Sequence, residues 1–235
     1  MSQDLETLIS GHFEDLADNP MFTHEIPPDD FALKAVMEWC GDLRGRLLLD
    51  VGCAKGRYVK ALSAAGARMI GIDPTWNLLH AAAASQPGQA FALSTATKLP
   101  FLNASYDGLL CVEVIEHIPD VDSAFSEMSR VLKPGGRAII IEKNPLGIGF
   151  HRLYPNWLYK LVMERLDRWF YPKRFPFRER WFIPSVLRRN LCRHFSHVEV
   201  KYLQGRVQGV RRRLLGPLFR VLPIARPDVA WCCVK

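Results

Sequence analysis

The stretch Leu47-Leu48-Leu49-Asp50-Val51-Gly52-Cys53-Ala54-Lys55-Gly56 narrows the fold of this chain more than any other. An apolar run closes on an acid, and small residues then follow at alternate positions. A buried strand that stops at a tight turn before a helix is written this way. A turn without bulky side chains lets the backbone approach a ligand. A second apolar run, Met69-Ile70-Gly71-Ile72-Asp73, ends in a second acid 21 positions after Gly52. That spacing puts a carboxylate at the end of a second strand, where ribose hydroxyls can donate to it. The two runs together predict an α/β fold, a ligand containing adenosine, and a site at the C-terminal ends of the strands.

The glycine spacing narrows the ligand. A dinucleotide fingerprint needs its third glycine at position 57, where Arg57 stands. The small residues fall instead at Gly52, Ala54 and Gly56. Three further blocks follow in order: Lys98-Leu99-Pro100-Phe101 with Ser105-Tyr106-Asp107-Gly108, then the run from Leu109 through Glu113, Glu116 and His117 to Asp120, then Arg130-Val131-Leu132-Lys133-Pro134-Gly135-Gly136-Arg137 before Ala138–Glu142. In order and spacing these four blocks resemble the class I S-adenosylmethionine (SAM) dependent methyltransferases of the type 11 and ubiquinone-biosynthesis kind. The resemblance is close over residues 44–143 and looser toward the chain end. It implies a Rossmann-like, seven-stranded sheet with helices on both faces, SAM as cofactor, and methyl transfer as the reaction. It also implies cofactor contacts at Asp50, Gly52, Ala54, Gly56, Asp73, Thr95, Ala96 and Glu113, with Asp73 on the ribose and Asp50 and Glu113 orienting the methionine part. Two positions depart from the family pattern. Ala54 replaces a glycine. Thr95 stands near where an acid usually meets the adenine amino group, leaving that contact to its hydroxyl or to the backbone of Ala96.

The rest of the chain reads as elaboration of one domain: a cap over 1–43, a SAM-binding core over 44–143, and a substrate or lid region with C-terminal basic insertions and the last two strands over 144–235. Leu8, Ile9, Phe13 and Leu16 recur at roughly helical spacing and predict a short amphipathic helix, which Pro27-Pro28 follow. In the resembling family such a segment often lies over the active site, so Phe22 and His24 face either the substrate or their own scaffold. Asp29 or Asp30 caps a helix from Phe31 to about Cys40, and Asp122 caps one over Ser123–Leu132 that Pro134-Gly135-Gly136 ends. Val198–Tyr202 alternates and Val229–Val234 is continuously apolar; the resemblance pairs them antiparallel. The N-terminal segment is acidic, without the apolar stretch of a signal peptide, and no apolar run reaches the ~20 residues of a membrane span. The six cysteines form no C-x-x-C pair and read as reduced core residues of a cytoplasmic protein, against structural zinc.

The reaction centre is expected beyond strands four and five, among Glu113, Glu116, His117, Glu142, Lys143 and Asn144. Methyl transfer from a sulfonium is an in-line displacement: it needs alignment first, and a base only for a poor nucleophile. His117 is the candidate base, with Glu116 beside it; the competing reading is a local turn. Glu113-x-x-Glu116-His117 also resembles the segment where ubiquinone-biosynthesis O-methyltransferases place a divalent cation. The same string occurs in related enzymes without metal, and no metal is assigned here.

The net charge of +7 hides a division. Residues 1–150 carry 12 Lys and Arg against 19 Asp and Glu, a net of −7; residues 151–235 carry 19 against 5, a net of +14. Between Arg152 and Arg193 these cations alternate with aromatic residues, and between Arg206 and Arg226 with aliphatic ones. Rings at headgroup depth and cations on anionic lipids suit a membrane surface docked through residues 152–226. The acceptor is then small and hydrophobic or lipid-linked, such as a quinone precursor or a lipid-borne saccharide. Three alternatives use the same residues differently: a lid over a soluble small acceptor, a groove for RNA, or a non-catalytic SAM-fold scaffold.

Overall fold

The computed structural model describes residues 2–27, 29–148, 155–204 and 218–235. Seven strands form one sheet: β1 (Leu47–Val51), β2 (Arg68–Asp73), β3 (Ala90–Leu93), β4 (Tyr106–Val112), β5 (Leu132–Lys143), β6 (His197–Leu203) and β7 (Asp228–Val234). Their spatial order is β3-β2-β1-β4-β5-β7-β6. The first five are parallel, and β7 runs antiparallel to both β5 and β6. The seven-stranded, Rossmann-like expectation is met. β1 pairs with β2 on one side and β4 on the other. The crevice therefore opens beyond the C-terminal ends of these strands, where the order reverses.

Both faces of the sheet are covered, which is why its central strands are continuously apolar. Successive residues go to opposite layers: Leu48 and Ile139 pack with Val36, Val59 and Leu62, whereas Leu49 and Ile140 pack with Phe125, Met128 and Leu191. The first layer is built by α2 (Phe31–Cys40) and α3 (Arg57–Ala64), the second by α5 (Val121–Val131) and α7 (Pro184–Leu191). Helices α1 (Ser2–Asp15), α4 (Trp76–Ser85) and α6 (Asn156–Arg165) complete the set.

Several local expectations are refined. Asp30 caps α2, its carboxylate accepting from the Leu33 N–H at 2.7 Å. Helix α5 is capped by Asp120, not Asp122: Asp120 accepts from the Ser123 N–H at 3.1 Å, while Asp122 meets the His194 ring at 3.0 Å. Pro134-Gly135-Gly136 lies within β5 rather than in a separate loop. Cys192 is exposed; the other five cysteines are buried, and all six are free. Arg152, Tyr154, Arg206, Arg211, Arg212 and Arg213 lie outside the described residues.

Helix α1 lies across the strand ends. Ser10 Oγ donates to the Pro74 carbonyl at 2.8 Å. The Glu14 carboxylate accepts from the N–H groups of Trp76 and Asn77 at 2.5 and 2.9 Å. One helix thus caps the orphan first-turn donors of another.

Candidate cofactor and acceptor site

The turn after β1 is fastened by its own backbone. The N–H groups of Gly52 and Cys53 both donate to the Ile72 carbonyl, at 2.8 and 2.9 Å. Gly52 has φ +75°, and a Cβ there would come within 2.3 Å of Val114 Cγ2, so the position excludes a side chain. Ala54 sits at φ +47°. An L residue in that region carries a strain of about 1–2 kcal/mol. Its N–H donates to Asp73 Oδ2 at 2.9 Å, and Asp73 Oδ1 accepts from the Thr75 N–H at 2.9 Å. Gly56, at φ +74°, packs against Gln86, whose amide donates to the carbonyls of Lys55 and Gly56. Asp50 is 1% exposed and its Oδ2 has no hydrogen-bond partner. Burial pushes its carboxyl up to about 7, with Arg57 opposing and Asp73 adding.

These elements border a cavity of about 680 Å³. Gly52, Ala54, Asp73, Thr95, Ala96 and Glu113 line it; Asp50 and Gly56 do not and stand behind the turn. On the β2–β3 side, Thr95 Oγ1 lies 3.0 Å from Thr97 Oγ1, which donates to Glu6 Oε1 at 2.8 Å. Phe22 also lines the cavity, whereas His24 is structural: its Nδ1 meets the Lys55 carbonyl at 3.2 Å and Ser85 Oγ at 3.0 Å.

On the β4–β5 side, Lys143 stands among three carboxylates. It pairs with Glu116, and its Nζ lies 3.5 Å from Glu113 and 3.4 Å from Glu179. Burial holds Glu116 well above the usual carboxylate range despite Lys143. Burial also pushes on Glu179, but Lys143, a hydrogen bond from Glu116 and His117 together outweigh it and lower it to about 2. The Trp169 and Trp181 indoles donate to Glu179 as well, at 2.6 and 2.7 Å. His117 Nδ1 is 3.0 Å from the Tyr171 hydroxyl and its Nε2 is 3.5 Å from Glu116 Oε1. Burial lowers His117 to about 4, which leaves the ring neutral. Phe13 and Phe170 flank it, with ring centroids at 5.1 and 5.3 Å.

The remaining strand-end residues are structural. Glu142 Oε1 accepts from the N–H groups of Val114 and Ile115, at 3.0 and 2.9 Å, and so shapes the single 3₁₀ turn Ile115–His117; burial pushes its carboxyl up to about 8. The Asn144 amide donates to the carbonyls of Ile224 and Arg226.

Residues 49–140 match the family model described as a methyltransferase domain. An uncharacterized methyltransferase of Mycobacterium sp. (strain JLS) is 38% identical over 96 residues, covering 41% of this chain and 38% of that protein. A ubiquinone biosynthesis O-methyltransferase of Alkalilimnicola ehrlichii is 30% identical over 159 residues, 62% of this chain and 61% of that one. The solved structure of an S-adenosylmethionine dependent methyltransferase from Mesorhizobium loti shares the fold with a TM-score of 0.62 at 19% identity, covering 87% of this chain and 96% of that chain. Residues 49–140 are thus similar to a methyltransferase domain, and the chain has the fold of SAM-dependent methyltransferases. It spans 38% and 61% of the length of those two curated relatives.

The cavity fits SAM. Its volume falls in the range of about 300–1,000 Å³ usual for small-molecule sites. Asp73 accepts two backbone amides and the Thr75 hydroxyl, which leaves acceptor capacity for a ribose hydroxyl. Among the described residues, no group of three or more His, Cys, Asp or Glu is arranged to hold a metal ion. Glu6 and Glu179 belong to no sequence motif, while Tyr171 is one of the aromatic residues interleaved with cations between Arg152 and Arg193. Glu179 does leave a signal in the sequence: it is one of only 5 acids in residues 151–235.

Proposed function

We propose that this protein transfers the methyl group of SAM to a hydroxyl or ring carbon of a hydrophobic, lipid-linked acceptor at a membrane surface. The observation that carries this reading is the make-up of the acceptor side of the cavity. Phe13, Phe22, Trp169 and Phe170 supply its apolar wall, and the polar groups converge on Glu113, Glu116 and His117. The O-methyltransferase named above supports oxygen as the methylated atom.

In this reading Asp73 holds the ribose, Thr95–Thr97 border the base, and Glu113 and the first-turn N–H groups of α3 face the amino-acid part. SAM, when bound, supplies an electrophilic methyl group on its sulfonium. His117 is the base: its Nε2 takes the acceptor's hydroxyl proton, while Glu116, 3.5 Å from that atom, positions the ring. Burial disfavours the charged form of the imidazole, and the ionised Glu179 nearby favours it. Phe13 and Phe170 hold the imidazole edge in place.

The route from membrane to cavity runs along α6. Trp157, Leu161, Val162 and Leu166 are exposed, as are Val221, Leu222 and Ile224. The two segments are tied together, because Asn156 donates to the carbonyls of Asn144 and Pro227 while Asn144 donates to those of Ile224 and Arg226. Arg165, Arg168 and Arg220 are exposed near these apolar groups in the sequence. Tyr159 of α6 meets Trp169 of the cavity wall, ring centroids 5.8 Å apart.

Transfer of labelled methyl from SAM into a fractionated cell extract tests the proposal. Label is expected in the organic phase, with His117→Gln lowering the rate by about 10²–10⁴-fold for a lost acid–base group. Label confined to RNA or polar metabolites overturns the lipid acceptor. A rate unchanged in His117→Gln overturns the base.

A further inference from the structure

We propose that Glu6, carried by the N-terminal helix, is the carboxylate that recognises the exocyclic amino group of the cofactor's adenine. Through it, helix α1 couples cofactor occupancy to completion of the acceptor wall.

Asp73 marks the ribose position, and the cavity continues from it past Leu78 of α4 to Thr95, Ala96 and Thr97 beyond β3. A purine placed there has apolar contacts for its faces from Leu78 and Ala96. Its amino group brings two donors and needs an acceptor that the protein leaves open. The two threonine hydroxyls are linked to each other and pass their hydrogen bonding on to Glu6. Glu6 Oε1 takes the Thr97 hydroxyl, while the carboxylate keeps Oε2 and further lone pairs. Glu6 is half-buried and lines the cavity, so that capacity is available to a ligand.

The helix is held where this contact requires it. Ser10 ties it to Pro74, the residue after Asp73, and Glu14 ties it to the start of α4. Glu6, Ile9, Ser10 and Phe13 follow the i, i+3, i+4, i+7 spacing of one helix face, and all four line the cavity. Seven residues of helix span about 10 Å. The same face therefore runs from the purine position to Phe13, whose ring stands 5.1 Å from His117. A ligand that engages Glu6 holds down the helix that supplies Phe13 to the acceptor side, so cofactor and acceptor favour each other's binding. This holds whichever acceptor is methylated.

The experiment is calorimetric titration of wild type, Glu6→Gln and Glu6→Ala with S-adenosylhomocysteine and with its 6-oxo analogue, S-inosylhomocysteine. Wild type is expected to favour the amino base by about 10-fold or more, the scale of a hydrogen bond to a charged group. Glu6→Ala should erase that preference, and Glu6→Gln, which offers an amide donor, should shift it toward the oxo base. Hydrogen exchange of α1 should slow on adding S-adenosylhomocysteine to wild type and not to Glu6→Ala. An unchanged base preference in Glu6→Gln overturns the contact. Equal loss of both ligands also overturns it, because that is the mark of an undocked helix rather than of base recognition. Unchanged α1 exchange in liganded wild type overturns the coupling. Failure of wild type to bind either ligand removes the cofactor reading and this proposal together.

Discussion

Asp50 and Asp73 end neighbouring strands and are both buried, but they meet different surroundings. Each Asp73 oxygen accepts a backbone N–H, from Ala54 and from Thr75, whereas Asp50 keeps an oxygen with no partner. A buried carboxylate without donors is held toward its neutral form, and Asp50 accordingly rises to about 7. The consequence for stability has a definite sign. Below pH 4 the group is protonated in both folded and unfolded chains and adds nothing. As pH rises from about 4 to about 7, the unfolded chain releases the proton while the folded one keeps it, so the group increasingly favours unfolding. Asp50→Asn should therefore stabilise the ligand-free protein more at pH 8 than at pH 5, by about 1–3 kcal/mol. Urea denaturation at the two pH values checks this, and an equal effect at both would refute it. His117 works in the opposite sense. Its folded pKa of about 4 lies below the unfolded value, so its contribution is present above pH 6.5 and is lost as pH falls toward 4.

At the scale of elements, the start of α5 shows how a local pattern leaves two solutions. Asp120 and Asp122 both stand ahead of the amphipathic run, and either fits a capping rule. Only Asp120 reaches a first-turn amide, Ser123 N–H, and its Oδ2 takes the Ser123 hydroxyl at 2.7 Å as well. Asp122 lies one residue inside the helix and turns outward to His194. Asp120→Ala should cost about 1 kcal/mol of unfolding free energy, and Asp122→Ala no more than about half of that. Chemical denaturation of the two variants side by side decides between the caps. The β5 start has a similar cause. Pro134-Gly135-Gly136 reads as a breaker, but the Gly135 N–H donates to the Lys235 carbonyl and the Lys235 N–H to the Gly136 carbonyl. Those partners come from the far end of the chain, so strand pairing absorbs residues that local preference assigns to a loop.

Over the whole molecule, charge and apolar exposure converge on the second half of the chain. The +14 of residues 151–235 accompanies exposed Trp157, Leu166 and Val221, the last 86% exposed. Among the described residues no helix is long and apolar enough to cross a membrane. The surface docking proposed above would use both features. Vesicles containing anionic lipid should therefore pellet the protein at low salt and lose it at high salt, as expected for contacts screened over about 10 Å at 0.1 M ionic strength. Replacing Val221 and Leu222 by serine should reduce pelleting several-fold while leaving S-adenosylhomocysteine binding unchanged. Wild type that stays in the supernatant even at low salt would discard the docking face.

The sequence by itself determined the succession of strands along the chain, the turn at Gly52 and the acid at Asp73. Apolar periodicity and backbone permissiveness act over a few residues, so they are written directly in the chain. It also carried the family resemblance, because those motifs are short and ordered. The tertiary structure decided the rest of the cavity. Glu6 meets Thr97 across 91 positions, and His12 meets the Phe170 carbonyl across 158. Lys143 among Glu113, Glu116 and Glu179, and the neutral state of His117, depend on burial by segments distant in sequence. A side chain's partners and its proton affinity belong to everything packed around it, and that is settled only when the chain has folded.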